Sequence, residues 1–130
     1  MIETETNIFA SETEVHEATR AFAQALTETA EYEAFEEATS HLRDDQLAQR
    51  AIAAYQSKQR SLEAMLMLNA VSADDQAELE RLRQAFLSES TVVAYFQAQE
   101  DLMALCQASA DLLSERIGLS FAAACGPGCC

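Results

Sequence analysis

The fold is decided by the last helical run of the chain and the short tail after it. The run begins with TVVAYF at residues 91–96 and continues to SFAAA at residues 120–124, and the tail is CGPGCC at residues 125–130. One side of the run is a long, mostly apolar stripe: Val92, Tyr95, Phe96, Leu102, Cys106, Ser109, Leu113 and Ile117. This spacing predicts a single helix of about 30 residues, roughly 45 Å long, as the spine of a helical domain.

A helix of that length needs a long partner to cover its stripe. The segment 45–69 has a helical stripe of its own, and Asp44 is a suitable N-cap for it. We therefore predict that this segment and the last helix pack as an antiparallel pair. The end of the last helix then extends beyond the bundle, which predicts a second subunit.

The rest of the chain is also helical in pattern. Ser11 and Glu14 form a capping box, and Ser72 is a suitable N-cap followed by two acidic residues. Helices are predicted over residues 12–29, 31–42, 45–69 and 72–87, and from residue 91 onward. The sequence leaves open whether the first two are one helix or two.

Proline and glycine support the same fold class. The one proline and all three glycines lie at or after Gly118, so nothing marks strand or hairpin turns earlier in the chain. The prediction is an all-α fold, an antiparallel helical bundle or hairpin of about four to five helices with a long C-terminal helix. The expected organisation is a flexible lead at 1–10, a helical domain at 11–124 and the tail at 125–130.

The charge of the chain is strongly acidic. Its net charge is −14, and residues 1–40 carry ten acidic residues against Arg20 alone. Such a surface repels phosphate backbones and anionic lipids, so we expect no direct nucleic-acid binding. The acidic surface is either a solvated face or a docking surface for a basic protein.

The expected compartment is the cytoplasm. The first five residues carry neither the basic nor the apolar region of a signal peptide. The longest uncharged stretch, residues 117–130, is fourteen residues long, which is too short to span a membrane. In a reducing compartment, clustered cysteines point to metal or redox chemistry more often than to structural disulfides.

The tail is the candidate metal or cofactor site. Cys125, Cys129 and Cys130 supply thiolates, which are soft ligands for zinc, copper(I) and iron–sulfur clusters. A zinc site or an ordinary cluster needs four such ligands, and the tail has three. Cys106 is about 28 Å upstream along a helix axis, and its place on the stripe predicts a buried core cysteine. A fourth ligand would therefore come from another chain or from solvent.

Two other interpretations of the tail stay open. It is either incidental to a plain helical dimerisation module or part of a soft-metal or thiol redox carrier, which needs an exposed thiol of low pKa. No nucleophile with a placed base is found, so no enzyme activity is expected. His16 and His41 lack ligand spacing with any cysteine, and we expect surface or capping roles for them.

Three segments carry a family resemblance: YEAFEEA at 32–38, VVAY at 92–95 and AQEDL at 98–102, together with the glycine-and-cysteine tail. The chain resembles the YlbF/YmcA family of small helical bacterial regulators. The resemblance implies an all-α, non-enzymatic protein that forms homo-oligomers, with a dimer expected, or hetero-oligomers with related helical proteins. It also implies a protein partner, an influence on RNA processing by an endoribonuclease and a role in developmental regulation.

The resemblance also bears on the tail. Cysteine-tailed members of the family are associated with 4Fe–4S clusters, and on this chain that role would fall to Cys125, Cys129 and Cys130. Zinc is the alternative ligand, and a tail without any metal is a third outcome.

Overall fold

The computed structural model describes residues 9–121 and residue 123. This part of the chain consists of five α-helices and contains no strand. They are α1 (Glu12–Thr27), α2 (Ala30–Asp44), α3 (Gln46–Met67), α4 (Ala73–Leu87) and α5 (Ser90–Ile117). The predicted all-α fold and long C-terminal helix are thus confirmed. Most of the predicted lead and the whole tail, residues 125–130, lie outside the described residues.

Local capping signals set the starts of α1 and α4. The Ser11 hydroxyl accepts a hydrogen bond from the Glu14 N–H at 3.2 Å, and the Glu14 carboxylate accepts one from the Ser11 N–H at 3.0 Å. At α4, the Ser72 hydroxyl accepts from the Asp75 N–H at 3.1 Å. Both predicted caps are confirmed, because such caps depend only on residues three apart.

The first two helical segments are separate helices, broken at Glu28 and Thr29. The Thr29 hydroxyl accepts from the Tyr32 N–H at 3.2 Å and donates to the Leu26 carbonyl at 2.7 Å, so it caps α2 and contacts the last turn of α1. The predicted cap of α3 was wrong by one residue. Asp44 is the last residue of α2, and Asp45 is the N-cap of α3.

α5 packs chiefly against α2, in the antiparallel sense. Thr91 is hydrogen-bonded to Asp45 at 2.7 Å, while the Tyr95 ring lies 5.5 Å from the ring of Phe35, so α2 positions decrease as α5 positions increase. The prediction that the 45–69 segment is the long partner of α5 was wrong. α3 packs chiefly against α4 instead, since the connection at 68–72 is short enough to fold α4 straight back onto α3.

The α3–α4 hairpin is held by one ring contact and one ion pair. The rings of Tyr55 and Phe86 lie 5.0 Å apart. Lys58 Nζ donates to Asp75 Oδ1 at 2.9 Å, and both side chains are about one-third exposed or less. These two contacts lie near opposite ends of α4, so α3 and α4 are in contact along most of the length of α4.

The core is small and rich in alanine. The buried residues are Ala38, Ala48, Leu62, Val92 and Ala98. Alanine at these positions allows close approach of helix backbones. The two buried residues of α5 both lie in its first nine residues, and α1 has none. The buried residues thus lie on α2, on α3 and at the beginning of α5.

Candidate functional site

The second half of α5 and the whole of α1 leave apolar side chains uncovered. No residue of α5 after Ala98 is buried, and no residue of α1 is. Val15 and Phe22 on α1 are 55% and 45% exposed, and Leu112 and Leu113 on α5 are 56% and 40% exposed. Single exposed apolar residues are ordinary, but contiguous ones mark interaction surfaces.

These side chains line one groove of about 730 Å³, which we name the α1–α5 groove. Its α1 wall consists of Val15, Ala18, Thr19 and Phe22. Its α5 wall consists of Ser109, Leu112, Leu113 and Arg116, with Phe121 at the end. Each wall repeats at intervals of three and four residues, so each is a single face of its helix.

Ser114 and Gly118 position the end of the groove. Gly118 has a φ of 75°, the left-handed conformation that ends a helix, and its N–H donates to the Ser114 carbonyl at 2.9 Å. The Ser114 hydroxyl accepts from the Phe121 N–H at 2.9 Å. The chain after α5 therefore turns back at Gly118, which places Phe121 beside the groove.

The charge inside the groove differs from that of the rest of the chain. Arg116 is the one charged side chain among the groove-lining residues, whereas the chain as a whole carries a net charge of −14. On α1, Glu12 and Glu14 lie in the first turn. The groove is thus an apolar surface with one cation at its end, beside a helix that carries acidic residues.

The three predicted tail ligands, Cys125, Cys129 and Cys130, lie outside the described residues, so their role stays a prediction. The prediction that Cys106 is a buried core cysteine was wrong, because Cys106 is exposed. It lies on α5 beyond Ala98, where the stripe continues but no helix among the described residues buries it. Within residues 9–121 and residue 123, no three side chains of the metal-binding types cluster.

The two histidines lie on the surface, as expected. His16 Nε2 lies 3.7 Å from Glu12 and His41 Nε2 lies 4.0 Å from Glu37, and more than half of each imidazole is exposed. Each pair joins residues four apart on one helix. The histidines are therefore surface partners of neighbouring carboxylates.

The groove itself was missed by sequence reasoning, although its two walls were visible. The sequence places Val15, Ala18 and Phe22 on one face of the helix predicted over residues 12–29, and the overhang of the last helix was predicted. A stripe on α1 and a stripe at the far end of α5 left without partners together indicate an open groove.

A smaller cleft of about 290 Å³ lies where α2, α3, α4 and α5 meet, between Leu42, Tyr55, Phe86 and Tyr95. The Tyr55–Phe86 contact described above lies on this cleft.

Among the described residues, no helix combines the length and apolarity needed to cross a bilayer.

The comparison with protein families matches most of this chain to one family model. The model described as "Control of competence regulator ComK, YlbF/YmcA" matches residues 15–118. The comparisons with curated proteins and with solved structures gave no match. The family match begins in α1 and ends at the residue that terminates α5, so it covers both walls of the groove almost completely. The chain therefore belongs to the YlbF/YmcA family of competence regulators.

Proposed function

We propose that this chain is a non-enzymatic regulatory adaptor that acts by assembling with other protein chains. The observation that carries the proposal is the family match over residues 15–118, since the family is described by its control of a regulator. The α1–α5 groove supports it, because a large exposed apolar surface is typical of proteins that bind other proteins. The adaptor works in the cytoplasm.

The regulated step is RNA processing, reached through a protein partner. The net charge of −14 opposes direct contact between this chain and RNA. An adaptor of this kind changes what a ribonuclease does by binding protein, and it supplies no catalytic group itself.

The tail is proposed to hold an iron–sulfur cluster shared between subunits. Cys125, Cys129 and Cys130 are soft ligands that suit such a cluster, and one chain is one thiolate short of four. A second chain would supply the missing ligand. Cys125 follows Phe121, one of the groove-lining residues, by four positions in the sequence.

Anaerobic purification tests the cluster. We expect iron and sulfide in the wild-type protein, with a broad visible absorption that disappears in a variant with Cys125, Cys129 and Cys130 changed to serine. Cys106→Ser is the matched control and should keep the iron. Zinc without sulfide would indicate a zinc site in place of the cluster. Protein that contains neither iron nor zinc would contradict the proposed cofactor.

The regulatory role is tested by mapping transcript ends. Deleting the gene in its host should change the processing of a set of transcripts, and the wild-type gene should restore it. The purified chain should neither cleave nor bind RNA at physiological salt. Unchanged transcript ends after deletion, or RNA cleavage by the purified chain, would contradict the proposal.

A plain helical dimerisation module with an incidental tail is the second candidate, and the groove favours it. Deleting residues 125–130 separates the two. The adaptor with a shared cluster loses metal and part of its regulatory effect on deletion. The plain module keeps its oligomeric state and its effect on transcripts.

A further inference from the structure

We infer that the cleft where α2, α3, α4 and α5 meet, which we name the aromatic cleft, binds an arginine side chain of a basic protein partner. The inference rests on the proposed function as a protein-binding adaptor, and it names the chemistry that the partner presents. Three features of the cleft support it: its aromatic rings, its free hydrogen-bonding groups and the sign of the surrounding charge.

Four aromatic rings line the cleft, in two contacting pairs. The ring centroids of Tyr55 and Phe86 lie 5.0 Å apart, and those of Tyr95 and Phe96 lie 5.7 Å apart in an edge-to-face arrangement. Phe96 is 48% exposed, so its ring is available to a ligand. The face of an aromatic ring attracts a cation, and a guanidinium group also stacks on it because it is planar.

The most buried lining residues suit the aliphatic part of an arginine side chain. Val92 is 2% exposed, and Leu42 and Ile52 are half-buried. Arginine packs its methylene groups against apolar surface while its charged end reaches polar groups. The cavity of about 290 Å³ therefore offers a single arginine both apolar and aromatic contacts.

Four polar groups of the lining residues have no hydrogen-bond partner within the described part of the chain. They are the hydroxyls of Tyr55 and Tyr95 and the side-chain amides of Gln56 and Gln59. Each carries an oxygen that can accept a hydrogen bond, and a guanidinium group has five N–H donors. A purely apolar ligand would displace water from these groups and leave them unpaired, at a cost in free energy. The cleft therefore favours a ligand with several donors.

The charge around the cleft favours a cation. Among the described residues, none that lines the cleft is charged, while the chain as a whole carries a net charge of −14. Thr91, the neighbour of Val92, is hydrogen-bonded to Asp45 at 2.7 Å, so one carboxylate is held close to the α5 side of the cleft. An acidic surface of this kind attracts a basic partner and repels an anionic one.

The basic residues nearest to the cleft in sequence have contacts of their own. Lys58 pairs with Asp75 at 2.9 Å, and Arg60 Nε donates to the Gln56 backbone carbonyl at 3.4 Å. Neither lines the cleft. The place of the cation is therefore left to another chain.

The uncharged lining also selects arginine over lysine. A lysine ammonium group is compact and strongly hydrated, whereas a guanidinium group is more weakly hydrated and stacks on rings. The lining offers rings and neutral oxygens but no carboxylate. Arginine therefore loses less hydration than lysine on entering the cleft and gains more contact.

Peptide titration tests the site on the full-length protein, followed by ¹H–¹⁵N NMR. The probes are acetyl-Gly-Arg-Gly-amide and the same peptide with citrulline, a neutral side chain of nearly the same shape. We expect the arginine peptide to bind at least about fivefold more tightly than the citrulline peptide, with shifts concentrated at the residues that line the cleft. The matching lysine peptide should bind more weakly than the arginine peptide.

Substitutions at Phe96 identify the surface. Phe96→Leu keeps an apolar side chain but removes a ring, and it should weaken binding of the arginine peptide by about fivefold. Phe96→Tyr keeps the ring and should bind as the wild type does. Leu47→Ala is the control and should have no effect, because Leu47 is 67% exposed and lines neither the cleft nor the α1–α5 groove.

Several results would overturn the inference. Equal binding of the arginine and citrulline peptides would do so, as would the absence of measurable binding. A lysine peptide that binds as tightly as the arginine peptide, or shifts located mainly on α1, would show general attraction to the acidic surface instead. If acetyl-Gly-Phe-Gly-amide binds most tightly, the cleft receives an apolar partner and not an arginine.

These results are separable from a failure of the proposed function, because peptide binding is measured on the purified protein. Arginine-selective binding by a chain whose gene deletion leaves transcript ends unchanged contradicts only the regulatory role. Changed transcript ends on gene deletion, together with a purified chain that does not select arginine, contradict only the inference about the cleft.

Discussion

The Thr91 hydroxyl donates a hydrogen bond to Asp45 Oδ2 at 2.7 Å, while Asp45 Oδ1 accepts one from the Ala48 N–H at 3.1 Å. One carboxylate therefore begins α3 and fixes the start of α5 beside the α2–α3 junction. The backbone hydrogen bond from Ala48, and after it the bond from Thr91, lower the pKa of Asp45 below its ordinary value. This contact sets the register of α5 on α2 and hence the position of the overhanging half of α5.

Substitutions at Asp45 and Thr91 separate the two roles of this carboxylate. Asp45→Asn keeps a good N-cap but loses the acceptor for Thr91, whereas Asp45→Ala loses both. We expect the urea midpoint to be highest for the wild type, lower and similar for Asp45→Asn and Thr91→Val, and lowest for Asp45→Ala. In the Asp45→Asn background, Thr91→Val should have little further effect. Additive losses in the double variant would contradict a shared hydrogen bond.

The lowered pKa of Asp45 predicts how its contribution depends on pH. Because the folded state favours the ionised carboxylate, the stabilisation is fully present above the unfolded pKa of about 3.9 and is lost as the pH falls through the folded pKa. The difference in free energy of unfolding between wild type and Asp45→Asn should therefore be constant from about pH 7 to pH 5 and shrink below about pH 4.

The control for this pH series is Asp44→Asn. It removes the same charge one residue earlier, at an exposed position that ends α2. Comparing the two amide variants cancels the general relief of repulsion in a chain with a net charge of −14. A difference between them that grows on acidification would show that Asp45 is not stabilised as the carboxylate.

The capping residues show what sequence reasoning could reach. Ser11 and Ser72 were predicted correctly because an N-cap uses residues within one turn. Asp44 and Asp45 are adjacent in sequence and both are good N-cap residues, so the sequence favoured neither, and the prediction of Asp44 was wrong. The hydrogen bond that distinguishes them comes from Thr91, which is 46 residues away, so local sequence could not decide.

Leu62 tests the small core of the α3–α4 hairpin. It is 3% exposed and is the largest of the five buried apolar residues. We expect Leu62→Ala to lower the free energy of unfolding by about 2–5 kcal/mol through lost burial and a cavity. Met67→Ala on the same helix, at a residue that is 83% exposed, should change it by less than about 0.5 kcal/mol. Chemical denaturation measures both, and equal losses would contradict the described core.

The choice of helix partners lay beyond the sequence for a different reason. An apolar stripe indicates that a helix face is covered, but it does not indicate which element or which chain covers it. Tyr95 on the stripe packs against Phe35 of the same chain, whereas Cys106 on the same stripe is exposed. The environment changes along α5 where it passes the N-terminal end of α2, and tertiary packing sets the position of this boundary. Equal periodicity on the two halves of α5 therefore concealed two different environments.

Salt provides the sharpest prediction about the dimer that a helical dimerisation module would form through the α1–α5 groove. Two copies that each carry a net charge of −14 repel each other at long range, and that repulsion is screened as the Debye length falls from about 30 Å at 0.01 M to about 10 Å at 0.1 M. The apolar contact itself does not weaken with salt. We therefore expect the dimer dissociation constant to fall, by about tenfold, as NaCl rises from about 0.02 M to about 0.5 M. Sedimentation equilibrium at several salt concentrations measures this change.

The control for the salt series is Arg116→Gln. If Arg116 pairs with a carboxylate of the second copy, this variant should weaken the dimer a few-fold at low salt and approach the wild type at high salt, where such a pair is screened. Leu47→Glu, outside the groove, should follow the wild type at high salt. A basic partner would behave in the opposite way, because its attraction to this acidic chain decreases as salt is added. A dimer that dissociates at high salt would show that charge pairing, and not the apolar groove, holds the two copies together.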